Sequence, residues 1–317
     1  MSGPVRTEDV PPVGGGSVDP GHPVLEVTPS RVTEVGALQV RRALPRRTRR
    51  TVGAWCFVDH MGPVPVTEEH GVDIGPHPHI GLQTVTWLLA GEVLHRDGLG
   101  SEQVIRPGQL NLMSAGHGIA HAEEATGRYR GDLHGVQLWV AQPERTRHEP
   151  PAFAHHADLP QVDLTSATAT VLVGGLDGTA SPARHDTDGI GVDLALRPGG
   201  PAVVPLASRF EHALVVLDGA VSITAGSGGG GTVVEPGHLA YLGDERDELA
   251  LTVREPTRVL LLGGVPFESP ITMWWNFVAR THDEIDAARA AWQSGDDDRF
   301  APVTSRLDRI PAPPTPW

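Results

Sequence analysis

From Leu25 onward, apolar residues come in short runs of Val, Leu, Ile and Thr, punctuated by Gly or Pro every eight to fifteen residues. The runs Gln83–Ala90, Gln109–Met113, Val136–Ala141, Thr170–Val173, Ala213–Leu217 and Arg258–Leu262 each predict a strand. Short strands at this spacing indicate an all-β sandwich or barrel. One segment has helical periodicity instead. Thr281–Glu284 (THDE) fits a capping box, Ile285, Ala288 and Trp292 form an i, i+3, i+7 stripe, and Gly295 ends it. Prolines in the tail from Arg309 (RIPAPPTPW) stop any further helix.

The pattern also repeats. Thr86–Val93 (TWLLAGEV) and Leu214–Val221 (LVVLDGAV) both read as strand, Gly turn and returning strand. Pro107-Gly108 follows Gly91 by sixteen residues, and Pro236-Gly237 follows Gly219 by seventeen. Two related β-units are predicted. Residues 1–24 are rich in Pro and Gly and read as a flexible leader. Pro143–Pro160 has four prolines and no alternation, as expected of a connection between the units. Ser227–Gly231 (SGGGG) lacks the strand–helix context of a phosphate loop and reads as a hairpin loop.

Composition narrows the class. Of 317 residues, 39 are acidic and 25 basic, all of the latter Arg, for a net charge of −14. Such a polyanion is a poor general binder of nucleic acid or anionic membrane. No run approaches the roughly 20 apolar residues of a membrane span, and residues 1–25 lack the apolar core of a signal peptide. The single cysteine, Cys56, excludes an internal disulfide and suits a reducing compartment. A cytoplasmic location is the expectation. Cys56, between Trp55 and Phe57, is expected to be a buried, inert thiol. Arg41–Arg50 holds six Arg, read as an early hairpin with outward guanidiniums rather than an anion-binding patch.

The candidate chemistry lies in two short pairs. In PHPHIGLQTVTWLLAG (76–91), His77 and His79 share a face if the segment is one strand, and Gln83, Val85 and Trp87 share their parity. A second pair, His121 and Glu123, lies 42 residues on in MSAGHGIAHAEE. Three imidazoles and one carboxylate facing one interior suit a divalent ion such as Fe, Mn, Ni, Cu or Zn. In an octahedral centre they leave two positions for a substrate oxygen and dioxygen or water. With 16 His in the chain, chance alone yields such spacings. His282-Asp283-Glu284 repeats the H-x-E spacing, but on a helix, where the two side chains diverge. His60, His95, His117 and His134 read as supporting or surface residues, and His155-His156 as solvated.

These segments resemble the pirin family of the cupin superfamily. The resemblance is carried by HPHIGLQTVTWLLAGEVLHRDGLG (77–100), IRPGQLNLMSAGHGIAHAEE (105–124), GVQLWV (135–140) with PERTRHEPPAF (143–153), and WWNFVARTHDEI (274–285). It implies an all-β bicupin: two jelly-roll-like, cupin-type β-barrels with a short C-terminal helix. The division it suggests is a leader over 1–24, a metal-binding barrel over 25–160, and a barrel without metal over 161–317, ending in the helix and Pro-rich tail. The family's HPH and HAE motifs map onto His77 and His79, and onto His121 and Glu123, around one divalent transition metal, expected to be Fe(II). Ile80 and Gln83 depart from many relatives, which carry Arg and Glu there. Gln83 is then expected to hydrogen-bond near a ligand. Pro205, Ala207, Ala250 and Thr252 replace the four ligands in the second unit, whose interior should be apolar and whose role should be to cover the first barrel.

The resemblance further implies a dioxygenase of quercetin 2,3-dioxygenase type, taking a small flavonol-like aromatic substrate and dioxygen, with Glu123 as the catalytic base. Trp87 shares the supposed ligand face, where it would pack in the core or against a planar substrate. The competing reading is a non-enzymatic iron-based redox sensor that binds a regulatory protein partner. An open, apolar-lined cleft reaching the metal separates the first reading from the second.

Overall fold

The computed structural model describes residues 25–36, 38–67, 71–224 and 231–317. The leader expected over 1–24 and all but the last residue of the Ser227–Gly231 loop lie outside the described residues. The chain forms two barrels, each from a seven-stranded and a four-stranded antiparallel sheet. In the first barrel the large sheet runs, edge to edge, Ala152–His156, Leu110–Ser114, Leu82–Ala90, Gly131–Ala141, Trp55–Val66, Leu38–Leu44, Arg31–Val35. The small sheet runs Ile74–His79, Ile119–Glu124, Val93–Asp97, Glu102–Ile105. In the second barrel Glu211–Asp218 and Val221–Thr224 repeat Leu82–Ala90 and Val93–Asp97. The turns of the repeat match as well: Gly91 and Gly219 have φ of 94° and 71°, and Gly108 and Gly237 both 82°. Such backbone favours glycine. All six runs read as strands fall on strands, with Gln109 alone lying one residue before its own.

The central strands of the first barrel's large sheet have no solvent face. Val58, Val85, Trp87, Val136 and Leu138 point outward into an apolar core shared with Val215, Leu217, Leu260 and Leu262 of the second barrel. Two indoles tie the barrels together by hydrogen bonds. Trp55 Nε1 donates to Ile190 O at 3.0 Å, and Trp87 Nε1 to Asp193 Oδ2 at 2.9 Å. Gly191 makes room, since a Cβ there would lie 2.8 Å from the Trp55 ring. Trp87 is therefore a core residue 2% exposed, not a wall of the site. The second barrel's own interior is apolar, packed by Leu214 and Val216 with Val192, Leu194 and Leu251.

The chain termini exchange barrels. Glu26–Pro29 pairs with His238–Gly243 and so extends the second barrel's sheet. The C-terminal segment returns to the first barrel: Phe277 bridges Ile80, and Ile310 N donates to Pro76 O at 2.9 Å. The helix His282–Ser294 docks within the same cluster through Ile285, Ala288 and Trp292, the stripe expected of it. Thr281 caps it by accepting from Glu284 N, and Gly295 ends it at φ 72°. Glu284 completes the box one residue early, accepting from Arg280 N at 2.8 Å.

Three local expectations change. The segment 76–91 is two strands, because Gly81 at φ 66° turns the chain from the small sheet into the large one. The parity linking His77 and His79 to Gln83 and Trp87 is lost there, and Gln83 instead donates to Ser114 Oγ at 2.8 Å. The Pro143–Pro160 connection contains the edge strand Ala152–His156, so His155 is half-buried against Asn111 rather than solvated. Arg42 points inward, 2% exposed, because it shares the parity of Leu38 and Val40 on its strand. Cys56 is fully buried, and burial pushes its thiol up to about 12.

The docked helix supplies the first test. Trp292 is 2% exposed and donates to Ile310 O at 2.8 Å, so it joins helix to tail. Trp292→Ala is expected to cost about 3–5 kcal/mol in urea unfolding, and Thr281→Ala about 1 kcal/mol through the lost cap.

Candidate metal centre

The small sheet brings the two motif pairs together. Ile74–His79 and Ile119–Glu124 are antiparallel neighbours, with His121 directly opposite His77. A bulge between His121 and Glu123 shifts the register and sets Glu123 against Ile74. One ligand nitrogen from each of His77, His79 and His121 lies within 4.8 Å of the others. Glu123 is not in that group, but it lines the same cavity. All four residues are at least nine-tenths buried.

Hydrogen bonds from outside decide where the ring protons sit. His77 Nδ1 lies 2.9 Å from Gly75 O, and His79 Nδ1 lies 2.9 Å from Asn276 O. A carbonyl only accepts, so each Nδ1 carries the proton and each Nε2 keeps a bare lone pair. A longer chain reaches His121. His95 Nε2 donates to Asp97 Oδ2 at 3.0 Å, which leaves His95 Nδ1 to accept from His121 Nδ1 at 3.4 Å. Asp97 is held in turn by the N–H groups of Leu99 and Ser101, at 2.9 and 3.0 Å. Burial opposes its ionisation, yet the hydrogen bonds from His95 and Ser101 hold its carboxyl below the ordinary value. His121 Nε2 is thereby bare and lies 3.1 Å from His79 Nε2.

Two lone pairs at that distance repel unless a proton or a cation lies between them. A proton is disfavoured here. Burial first, and neighbouring imidazoles after it, hold His79 and His121 well below 6.5 and bring His77 down to about 4. The separation suits ligand bonds of about 2.0–2.1 Å. Glu123 would add the negative charge beside a cation: no donor among the described residues reaches it, and without an ion burial pushes its carboxyl up to about 7. The donor set fits a divalent transition ion.

The cavity above the imidazoles has a volume of about 270 Å³. Its walls come from the inward face of the large sheet, including Phe57, Met61 and Trp139, and from Trp275, Asn276 and Ile310 of the C-terminal segment. Among the described residues, none of the second barrel lines it. The expected cover by that barrel is therefore corrected: it packs on the far side of the large sheet, and the returning tail closes the cavity instead. Of the other histidines, His95 supports His121. His60 and His134 pair at 2.9 Å away from the centre, His117 faces Glu149 O, and His282 stacks on Trp317.

Sequence reading missed Arg42, Asp59 and Trp139. Alternation was the available signal, since Arg42 follows Leu38 and Val40 at period two, and Asp59 follows Phe57. Nothing local marks Asn276, whose contribution is a backbone carbonyl.

Comparison with known proteins agrees with this architecture. The family model for Pirin matches residues 37–140, and that for the Pirin C-terminal cupin domain matches residues 191–300. The chain belongs to the pirin family. A Pseudomonas aeruginosa protein provisionally named quercetin 2,3-dioxygenase is 46% identical over 93% of this chain and 91% of its own. A crystal structure titled quercetin 2,3-dioxygenase, from Acinetobacter baumannii, superposes with a TM-score of 0.87 at 42% identity, covering 92% of this chain and 96% of that one. A bacterial pirin of Escherichia coli, solved with nickel(II), shares the fold at TM-score 0.62 and 19% identity, over 77% of this chain and 100% of its own. No helix among the described residues of this pirin is long and apolar enough to cross a membrane.

The buried carboxyl sets a pH dependence. In metal-free protein, Glu123 ionises near pH 7 when folded and near 4.5 when unfolded. The unfolded state therefore sheds its proton first, and stability falls as pH rises between those values. Metal-free Glu123→Gln is expected to match the parent at pH 4 and to exceed it by roughly 3 kcal/mol above pH 7, as read by urea unfolding.

Proposed function

We propose that this pirin is a metal-dependent dioxygenase that opens the oxygenated ring of flavonol-like aromatics, in the manner of quercetin 2,3-dioxygenase. One observation carries the reading: three bare imidazole nitrogens converge at the wall of a cavity that is otherwise largely apolar and aromatic. A redox sensor needs no such chamber, whereas an enzyme does. The names of the Pseudomonas and Acinetobacter relatives support the same reaction class.

His77, His79, His121 and Glu123 would hold one divalent transition ion, with Fe(II) the ion proposed. The nickel in the Escherichia coli pirin supports a metal in this fold. When bound, the ion supplies Lewis acidity that makes a substrate hydroxyl easier to deprotonate. The chain does the rest. Glu123, the one carboxylate of the ligand set, takes the hydroxyl proton at a carboxylate oxygen. Phe57 and Trp139, stacked at 4.0 Å between centroids, line the cavity with apolar ring surface for an aromatic substrate. Trp275 and Ile310 exclude water from the chamber. The unit that acts is thus the first barrel, proposed over 25–160, completed by the C-terminal segment that follows the second.

Purified protein is expected to carry one transition-metal ion per chain. His79→Ala and His121→Ala should lose it while keeping the β circular dichroism, measured by elemental analysis. Full occupancy in those variants would move the site elsewhere. With quercetin and air, the iron-loaded protein should consume oxygen, and Glu123→Gln should lower that rate by about 10²–10⁴-fold. Oxygen uptake equal to a metal-free control across a flavonol panel would refute the dioxygenase reading.

A further inference from the structure

The cavity contains a second polar feature that the metal chemistry does not use. Arg42 and Asp59 face each other on adjacent strands and form a bidentate pair, Nε to Oδ1 at 2.7 Å and Nη2 to Oδ2 at 2.6 Å. Their side chains are 2% and 4% exposed. Buried ion pairs of this kind are weak contributors to stability, because desolvation offsets the attraction. Apolar residues of similar volume would serve the wall as well or better. Both residues line the cavity. Opposite Asp59 on the next strand is Gln137, whose Oε1 accepts from Thr86 Oγ1 at 2.8 Å, leaving its amide N–H groups for another partner. Arg42, Asp59 and Gln137 thus form a polar row across three strands of an apolar wall.

An aromatic path connects this row to the imidazoles. The Arg42 guanidinium sits 4.4 Å from the Phe57 ring centroid, Phe57 stacks on Trp139 at 4.0 Å, and Trp139 meets His79 edge-on at 5.2 Å. A ligand lying along that stack has one end at the histidines and the other at the ion pair. The cavity volume, about 270 Å³, admits a compact ligand of few rings, close to the lower end of small-molecule sites at roughly 300 Å³.

We propose that Arg42 and Asp59 are the specificity determinants of this site, selecting aromatic substrates whose distal ring carries adjacent uncharged hydroxyls. This rests on the aromatic-substrate reading above. Charge balance makes the choice. Arg42 is already neutralised by Asp59, so a carboxylate on the ligand would leave a net negative charge in a desolvated chamber and compete with Asp59 for the guanidinium. Vicinal hydroxyls need no such exchange. One oxygen accepts from Arg42 Nη1, which Asp59 does not engage, and the neighbouring O–H donates to an Asp59 oxygen with lone pairs to spare. Hydrogen bonds to charged groups are the stronger kind, and a ligand lacking the hydroxyls leaves those groups unanswered.

Equilibrium binding separates this proposal from catalysis. Zinc-loaded protein, which cannot turn over by redox chemistry, is titrated calorimetrically with three flavonols that share the 3-hydroxyl and 4-keto end. They differ only in the distal ring, which is 3′,4′-dihydroxy, unsubstituted or 4′-carboxylate. The dihydroxy ligand should bind at least about tenfold more tightly than either other. The charge-neutral double variant Arg42→Met/Asp59→Leu should keep its zinc content and lose that preference. Asp59→Asn leaves Arg42 uncompensated and should reverse it, making the carboxylate ligand the tightest. Equal affinities in the parent, a preference surviving in the double variant, or no reversal in Asp59→Asn would each overturn the proposal. If the dihydroxy ligand binds selectively but iron-loaded protein consumes no oxygen with it, the oxygenase reading fails and this one stands. Turnover indifferent to the distal ring has the opposite meaning, and binding of no flavonol refutes both.

Discussion

Everything in the first barrel depends on a sheet whose central strands have no face in water. Seven strands give two surfaces; one is committed to the second barrel and the other to the cavity. Because side chains alternate along a strand, a residue's parity decides which surface it serves. Val136 and Leu138 go to the inter-barrel core, while Gln137 and Trp139 between them face the cavity. Val58 and Asp59 divide in the same way. A one-residue slip in this sheet would place the Arg42–Asp59 pair in an apolar interface and valines at the site, so register and chemistry are under one constraint.

Burial is also what gives the polar groups their properties. The imidazoles are kept neutral by desolvation, and the carboxyl of Glu123 is kept partly protonated by the same cause. A neutral histidine ligand must still have its lone pair on the correct nitrogen, and desolvation cannot arrange that. Here three separate elements do: the strand's own Gly75 carbonyl for His77, the Asn276 carbonyl from the C-terminal segment for His79, and the Asp97–His95 chain for His121. The last of these is anchored to loop amides, so its geometry is set well outside the cluster. Such outer partners fix ring orientation and strengthen the ligand.

The strand runs, the repeat with its glycine and Pro-Gly turns, and the helix with its cap and stripe were legible because each is a local pattern read out by local geometry. The convergence of His77, His79 and His121, with Glu123 on the same cavity, was legible because two period-two pairs suffice to define a face. What failed was the extension of a face past a break. Gly81 turns the chain between sheets, so Gln83 and Trp87 belong to a different surface from His77 and His79 despite equal parity. The density of Arg in 41–50 concealed Arg42, since composition favoured a solvated reading where alternation pointed inward. Asn276 and the closing tail lie almost 200 residues from His79, and backbone carbonyls leave no trace in a pattern of side chains.

The exchange of termini explains how an apolar barrel can matter to chemistry it does not touch. The second barrel repeats the turns of the first, but its interior is filled by Leu214, Val216 and their neighbours. Its outer face buries the large sheet of the first barrel, and its last strand hands the chain to the segment that closes the cavity. That segment reaches Pro76, Ile80 and His117 of the first barrel. The strand Glu26–Pro29 fastens the opposite end, since it leaves the first barrel to pair with His238–Gly243. Each barrel thus completes the other with a terminal segment, and rigid-body separation would open the apolar inter-barrel core and strain both of these crossings together. Docking of the two barrels therefore bears on the chamber's shape, although every proposed ligand and every described lining residue belongs to the first barrel or to the returning tail.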